Sequence, residues 1–229
     1  MISVIIPTLN EQENIGKLIL YLKKSCFDTS LEIIIVDGGS TDETIAHART
    51  AGAHVVTSPK KGRAAQMNYG TSMAKGDILF FVHADTLPPS SFYNDIKNAV
   101  TNGYSLGRYR TKFESNSILL KFNAFFTRFD FFMCYGGDQA LFITRELFMS
   151  IGGFNEDMSI MEDYEIVEKA RAKARYKIFS KSTLVSARKY ETNSWWKVQR
   201  ANYIAVKMYK NQLPQSQIVS AYKQNIDYR

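Results

Sequence analysis

Apolar residues fall along this chain in short continuous runs separated by polar turns. Ile2 to Pro7 is the first run, the pattern of a strand covered on both faces. A polar turn follows, where Asn10 is placed to cap a helix with Glu11 and Glu13 in its first turn. Ile15, Leu18, Ile19 and Leu22 lie on one face of that helix. Leu31 to Val36 is a second run, ending on Asp37, and Gly38-Gly39 predicts a tight turn. Ser40-Thr41-Asp42-Glu43 reads as a capping box opening a second helix, with Asp42 as a first-turn charge. His54 to Thr57 predicts a short strand, Gly62 to Ala74 a helix, and Ile78 to Val82 a fourth strand, after which Pro88-Pro89 forces a turn. Strand and helix in strict alternation predict a mostly parallel sheet with right-handed crossovers.

Beyond Pro89 the rhythm loosens. Ser90 to Val100 fits a helix, Tyr104 to Phe113 and Ala140 to Thr144 fit strands, and Arg145 to Ile151 fits a short helix stopped by Gly152-Gly153. Asp163 to Ala174 reads as helix, Tyr176 to Phe179 and Leu184 to Ala187 as two strands, and Trp195 to Lys210 as a basic, aromatic helix followed by a polar tail. The stretch from Phe122 to Phe132 is crowded with phenylalanine. Core packing is the preferred reading, because Arg128 and Asp130 interrupt any clean apolar face. An apolar ligand groove and contact with a membrane surface are the alternatives. Trp195-Trp196 beside Lys197, Arg200 and Lys207 raises the same question of docking on acidic lipid.

Composition narrows the class. A hydrophobic share of 45% in 229 residues allows a sizeable core, and no repeat or Gly/Ser/Pro-rich linker divides the chain, so one domain is expected. A formal charge of +7 favours polyanionic partners. The Lys and Arg form no dense run, which lowers nucleic acid as the partner. Cys26 and Cys134 lie in no CxxC or metal spacing and read as reduced thiols. No charged region precedes the apolar start at Met1-Ile2-Ser3-Val4, so no signal peptide is expected, and no apolar run nears the ~20 residues that span a bilayer. A cytoplasmic protein follows, with peripheral contact on the inner face of a membrane left open.

The chemistry concentrates at strand ends. Asp37 and Asp85 both follow apolar runs, and in open α/β sheets the carboxyl ends of strands form the ligand crevice. Two such carboxylates suggest a phosphorylated, metal-bound ligand. Pro7-Thr8-Leu9-Asn10-Glu11, Val36-Asp37-Gly38-Gly39-Ser40-Thr41-Asp42, His83-Ala84-Asp85 and Met161-Glu162-Asp163, in that order, resemble the family 2 glycosyltransferases, inverting enzymes of the GT-A fold. The resemblance runs from Ile2 to about Ala174. Gly62-Arg63-Ala64-Ala65-Gln66-Met67-Asn68 and Gly136-Gly137-Asp138-Gln139 look like a small, single-domain bacterial subgroup.

That resemblance implies an α/β fold of the GT-A type: a Rossmann-like, mostly parallel central sheet flanked by helices, with a smaller mixed acceptor-side region. Residues 1–115 would form the nucleotide-sugar half, 116–190 the acceptor side and 191–229 a C-terminal helical extension. Pro7, Thr8 and Glu11 would wall the nucleotide pocket, a role compatible with a helix N-terminus. Asp37 would accept a hydrogen bond from the uracil ring, with Gly39 allowing close approach of the base; an Asx-turn is the alternative. Asp85 would hold Mn²⁺ or Mg²⁺, hard ions that take one or two carboxylates plus substrate phosphates. The family pattern is Asp-x-Asp, and His83 stands at its first position, which bears on ribose contact; His83 as an ordinary satisfied polar residue is the alternative.

Asp163 would be the general base, with Glu162 orienting the acceptor or the base. First-turn acids also suit a helix dipole on structural grounds alone. Arg63, Gln66 and Asn68 precede the metal strand, and Arg63 would pair with diphosphate. Asp138 and Gln139 would bind sugar hydroxyls, and Arg188, followed by Lys189 and Tyr190, would close the diphosphate site. Solvated surface charge is the alternative for this last group. The function expected is metal-dependent transfer of a sugar from a nucleotide-diphosphate donor, a UDP sugar, to a hydroxyl acceptor, glycan or lipid-linked. A nucleotidyltransferase is the rival enzyme, but Pro7 to Glu11 lacks its Gly-rich, Lys-bearing signature. A non-catalytic nucleotide-sugar binding protein and a nucleic-acid module are the rivals outside enzymes.

Overall fold

The computed structural model describes residues 1–26, 31–136 and 140–227. In chain order the elements are β1 (Ile2–Thr8), α1 (Ile15–Lys24), β2 (Leu31–Asp37), α2 (Thr44–Thr50), β3 (His54–Thr57), α3 (Arg63–Met73), β4 (Ile78–Phe81), β5 (Thr86–Leu87), α4 (Phe92–Thr101) and β6 (Leu106–Phe113). Then come α5 (Ile118–Phe126), a 3-10 turn at Phe132–Cys134, β7 (Leu141–Thr144), α6 (Arg145–Ser150), α7 (Glu162–Arg171), β8 (Tyr176–Val185), α8 (Lys189–Thr192), α9 (Trp195–Lys210) and α10 (Gln215–Asn225).

The described strands form one sheet in the order β3-β2-β1-β4-β7-β6-β8-β5. Pairings from β3 to β4 are all parallel. Beyond β4 the sheet is mixed, antiparallel at β4–β7, β6–β7 and β5–β8 and parallel at β6–β8. Alternation along β1 sends Ile2, Val4 and Ile6 to one face, against α1, α2 and α4, and Ile5 to the other, against α3, α6 and α7. Both faces are dry, which is why β1 reads as an unbroken apolar run. A third apolar cluster joins Met158, Ile160 and Met161 to α9 and α10.

Several expectations are corrected. The first helix starts at Ile15, and Asn10 caps nothing. Its backbone is left-handed (φ 55°), and its side-chain oxygen accepts the Thr41 N–H at 2.9 Å. Ser40 in turn accepts the Asn10 N–H at 2.9 Å, so no capping box forms, and α2 begins at Thr44 with its N–H on Asp42 at 3.0 Å. The two loops face each other because Thr8 and Asp37 are register partners, so capping-type side chains bond across the loops. The two strands expected at 176–179 and 184–187 are one strand, since β8 keeps pairing with β6 through a register shift although Ser180-Lys181-Ser182 is exposed. The polar tail contains α10, which packs Ile218 and Tyr222 on α9.

The phenylalanine-rich stretch is not core. Of α5 only Leu120 is buried, while Phe122, Phe125, Phe126, Phe129 and Phe131 are exposed. Asn123 and Thr127 face inward instead, which no periodicity of apolar residues predicts.

Candidate functional site

β1, β2 and β4 run parallel and end at the same sheet edge. Chain order reverses across β1, with β2 on one side and β4 on the other, which makes this edge the crevice where such sheets take ligands. Asp37 ends β2 and is fully buried. Its Oδ2 accepts the N–H groups of Gly39 and Ser40 at 2.8 and 2.9 Å, forming the Asx-turn. Among the described residues its buried Oδ1 has no hydrogen-bond partner, nor has the hydroxyl of Thr8 beside it. Unpaired acceptors of this kind are costly unless something else supplies a donor. Pro7 is buried within β1, immediately before Thr8.

The turn has little room beneath it. The Gln66 amide donates to the carbonyls of Thr8 and Val36 at 2.9 and 2.7 Å, strapping α3 under both strand ends. A Cβ on Gly38 would stand 3.0 Å from that amide nitrogen. Above Gly39, at φ +100°, a Cβ would meet nothing within 4 Å, so the upper face of the turn is open. Gln66 is thus a structural strap, and its one signal in the sequence is a polar residue on the apolar face of a helix.

Asp85 lies in the turn between β4 and β5. The short β5 pairs with the end of β8, and the Asp85 carbonyl accepts the Ser186 N–H at 3.2 Å. This brings Arg188 within 3.2 Å of the Asp85 carboxylate. Arg188 also forks onto both oxygens of Glu11. Hydrogen bonding to Glu11, outweighing its burial, raises the Arg188 pKa above its ordinary value, so it stays a cation. Glu11, Arg188 and Asp85, far apart in sequence, therefore form one charged bridge. His83 is half-buried in the same turn, its carbonyl accepting the Thr86 N–H at 3.1 Å.

Glu162 and Asp163 open α7 and are both buried. Met161 before them is held in the left-handed region (φ 71°), a costly conformation for a non-glycine residue that tends to mark functional sites. Its side chain sits in the cluster formed with α9 and α10, which holds the bend in place. Glu162 is fully buried, with Arg63 at 2.7 Å. That approach lies off the N–H axis, so neither Glu162 oxygen receives a directed hydrogen bond among the described residues. Arg63 thus faces a protein carboxylate. Asn68 exchanges hydrogen bonds with Phe154 (3.0 and 2.9 Å) and donates to Glu156 at 3.1 Å, fastening the segment that leads to Glu162. Asp138 and Gln139 lie outside the described residues.

A cavity of about 300 Å³ is lined by Phe126, Met133, Gly136, Tyr164, Ser186 and Lys189. Ser186 is bonded to Asp85 and Tyr164 follows Asp163 in sequence, while Asp163 itself lines a separate small cavity with Arg108, Tyr135 and Gly136. Among the described residues no group of three or more His, Cys, Asp and Glu is arranged to hold a metal.

A sheet parallel over β3-β2-β1-β4 and mixed beyond, with a crevice at its reversal point and carboxylates at or just past its strand ends, defines an open α/β protein with a ligand site at that edge. The sequence model for glycosyl transferase family 2 matches residues 3–153, and the chain belongs to that family. It is 33% identical over 100 residues to the glucosyl-3-phosphoglycerate synthase of Mycolicibacterium smegmatis, a match covering 40% of this chain and 33% of that protein. The chain thus spans about a third of the length of that relative. The crystal structure of glucosyl-3-phosphoglycerate synthase from Mycobacterium tuberculosis with Mn²⁺, UDP and phosphoglyceric acid superposes with a TM-score of 0.68 at 18% identity, over 93% of this chain and 79% of that one. The mannosyltransferase PcManGT from Pyrobaculum calidifontis, with GDP-Man and Mn²⁺, superposes at 0.69 and 19% identity, over 96% and 68%. These likenesses show a shared fold. Among the described residues no helix is long and apolar enough to cross a membrane.

Proposed function

We propose that this protein transfers a sugar, with inversion, from a nucleotide-diphosphate donor to a hydroxyl acceptor, and that the donor is a UDP sugar. The observation that carries this reading is the buried Oδ1 of Asp37, unpartnered among the described residues, at the end of β2 on the sheet edge where Asp85 follows β4. A buried acceptor beside a turn whose Gly39 face is open suits the imino N–H of a uracil base. Thr8 and Pro7 form the adjoining wall, with Gly39 leaving space for the ring.

Asp85 is a partly exposed hard-oxygen ligand, and a single carboxylate suits Mn²⁺ or Mg²⁺ when diphosphate completes the shell. When bound there, the ion would supply Lewis-acid neutralisation of the leaving diphosphate. Arg188 would turn from Asp85 toward the diphosphate, with Glu11 still orienting it. Asp163 takes the proton of the acceptor hydroxyl as its oxygen bonds to the anomeric carbon. The bond from that carbon to the diphosphate oxygen breaks, and the nucleoside diphosphate leaves with the electron pair. Glu162, countered by Arg63, and Asn68, fastening the preceding segment, position Asp163 rather than touching the donor. His83, half-buried in the Asp85 turn, is assigned to a ribose hydroxyl, and Asp138 and Gln139 are assigned to the sugar.

The test is calorimetry and turnover together. UDP should bind with Mn²⁺ present, more tightly than GDP or dTDP, and Asp85→Ala should remove the ion dependence. Asp163→Asn should keep UDP binding and lower turnover of a UDP sugar about 10²- to 10⁴-fold. Full turnover in Asp163→Asn would sink the assignment of the base; absence of any nucleotide binding would sink the whole reading.

A further inference from the structure

α5 wears its amphipathic pattern inside out. Ile118, Phe122, Phe125 and Phe129 recur at helical spacing on the solvent side, while Asn123 lines the 300 Å³ cavity and Thr127 is buried. Ile118 is 81% exposed, Phe122 56% and Phe131 54%, values that no monomeric core explains. The rings form one continuous surface, with centroids of Phe122–Phe126, Phe125–Phe129 and Phe129–Phe131 at 4.8, 5.7 and 5.5 Å. Exposed aromatics gathered in one patch mark an interaction site.

The charges on this patch select its occupant. Between Ser115 and Phe129 the only charged side chains are Lys121 and Arg128, both cationic and both exposed. Neither has an acidic partner among the described residues, and the Arg128 guanidinium lies 3.9 Å from the centre of the Phe125 ring. Of the flanking acids, Asp130 is already paired with Arg171 and Glu114 lies before the helix. Aromatic rings at the level of two cations suit the headgroup–acyl boundary of an anionic bilayer, where rings enter the apolar layer and cations meet phosphate. A protein partner of matching shape would need acidic groups set against rings; a bilayer offers both chemistries everywhere.

We propose that α5 and the turn after it dock on an anionic lipid surface, with Phe122, Phe125, Phe129 and Phe131 inserted and Lys121 and Arg128 on the headgroups. The docked helix turns the mouth of the cavity, through Phe126 and Met133, toward the lipid. The docking does not depend on sugar transfer, and its test uses no activity.

The full chain is sedimented with vesicles of phosphatidylcholine alone or mixed with phosphatidylglycerol. Partition should rise about thirtyfold with the anionic lipid, from two cations each favoured several-fold. It should fall as NaCl goes from about 0.1 M to about 1 M, which shortens the screening length from about 10 to about 3 Å. The variant Phe122→Ser/Phe125→Ser/Phe129→Ser should lose at least about tenfold in partition. Lys121→Glu/Arg128→Glu should lose the preference for anionic lipid. Leu20→Ser, which removes an apolar residue exposed on α1, serves as control and should change nothing. Circular dichroism checks folding, and the single variant Phe122→Ser replaces the triple one if that fails to fold. Absence of sedimentation, or sedimentation that the aromatic variant leaves intact, overturns the proposal. So does light scattering that shows a dimer which the aromatic variant breaks while vesicles bind nothing; the patch would then belong to a second copy of the chain.

Discussion

Asp37 has two oxygens with different tasks. Oδ2 holds the turn through Gly39 and Ser40, and Oδ1 has no hydrogen-bond partner among the described residues; the proposed reading gives it a donor from the nucleotide. Asp37→Asn can keep the turn through its amide oxygen while the other atom becomes a donor. Nucleotide affinity should then fall about ten- to a hundredfold, the effect of about 1.5–3 kcal/mol, with the thermal midpoint nearly unchanged; calorimetry and a melting curve check both halves. Arg63 poses the opposite case, because its partner Glu162 has no exposure at all. Arg63→Gln leaves a buried carboxylate without its counter-charge and should cost about 3–5 kcal/mol in urea unfolding. Arg63→Gln/Glu162→Gln should recover most of that loss. A diphosphate ligand would behave differently, costing affinity and little stability. Both carboxylates at the start of α7 are visible in the sequence as a first-turn pair. That one of them is an ion-pair partner is not visible, since Arg63 comes from a helix 99 positions earlier by numbering.

At the scale of elements, side chains from distant strands finish what each helix leaves open. Arg108 on β6 is almost fully buried and donates to the carbonyls of Thr127 and Phe129 at 2.7 and 3.0 Å, just past the end of α5. Its Nε meets the Tyr176 hydroxyl at 2.5 Å. A cation at a helix C-terminus satisfies carbonyls that have no partner within the helix. Arg108→Met would strand the buried Thr127 carbonyl, at about 1–3 kcal/mol, and the part-buried Phe129 carbonyl at a smaller cost. For a chain of this size that corresponds to a fall in melting temperature of roughly 5–20 °C. Proteolysis at the α5 turn should appear before global unfolding, and equal protection there would contradict the role. The same anchoring explains how α5 can face its rings to solvent: backbone bonding to β6, rather than an apolar underside, holds it in place.

Across the whole molecule, the mixed half of the sheet and the C-terminal helices complete an edge that the parallel half begins. Met158, Ile160 and Met161 pack on α9 and α10, so the bend ahead of Glu162-Asp163 leans on the last part of the chain. Ending the chain at Gln212 removes Ile218, Tyr222 and Ile226 from that cluster, along with the bond from Lys189 to the Tyr222 hydroxyl at 2.6 Å. Three buried side chains at about 1.5–3 kcal/mol each make the loss at least about 4 kcal/mol. A lower urea midpoint and a weaker Glu162-Asp163 site should both follow, and an unchanged midpoint would show that α10 is dispensable. Local patterning alone was enough to reveal the β-α alternation, the buried strands and the carboxylates at strand ends, because strand and helix periods and strand-end turns are properties of neighbouring residues. Contacts between remote segments decided the rest. The register of β1 with β2 turned Asn10 and Ser40 from caps into cross-loop ties, and the pairing of β5 with β8 delivered Arg188 to Asp85. The anchoring of α5 by Arg108 put phenylalanines outside, where composition had placed them in the core. Which face of an element meets solvent depends on what lies against its other face, and that is settled only when the chain has closed on itself.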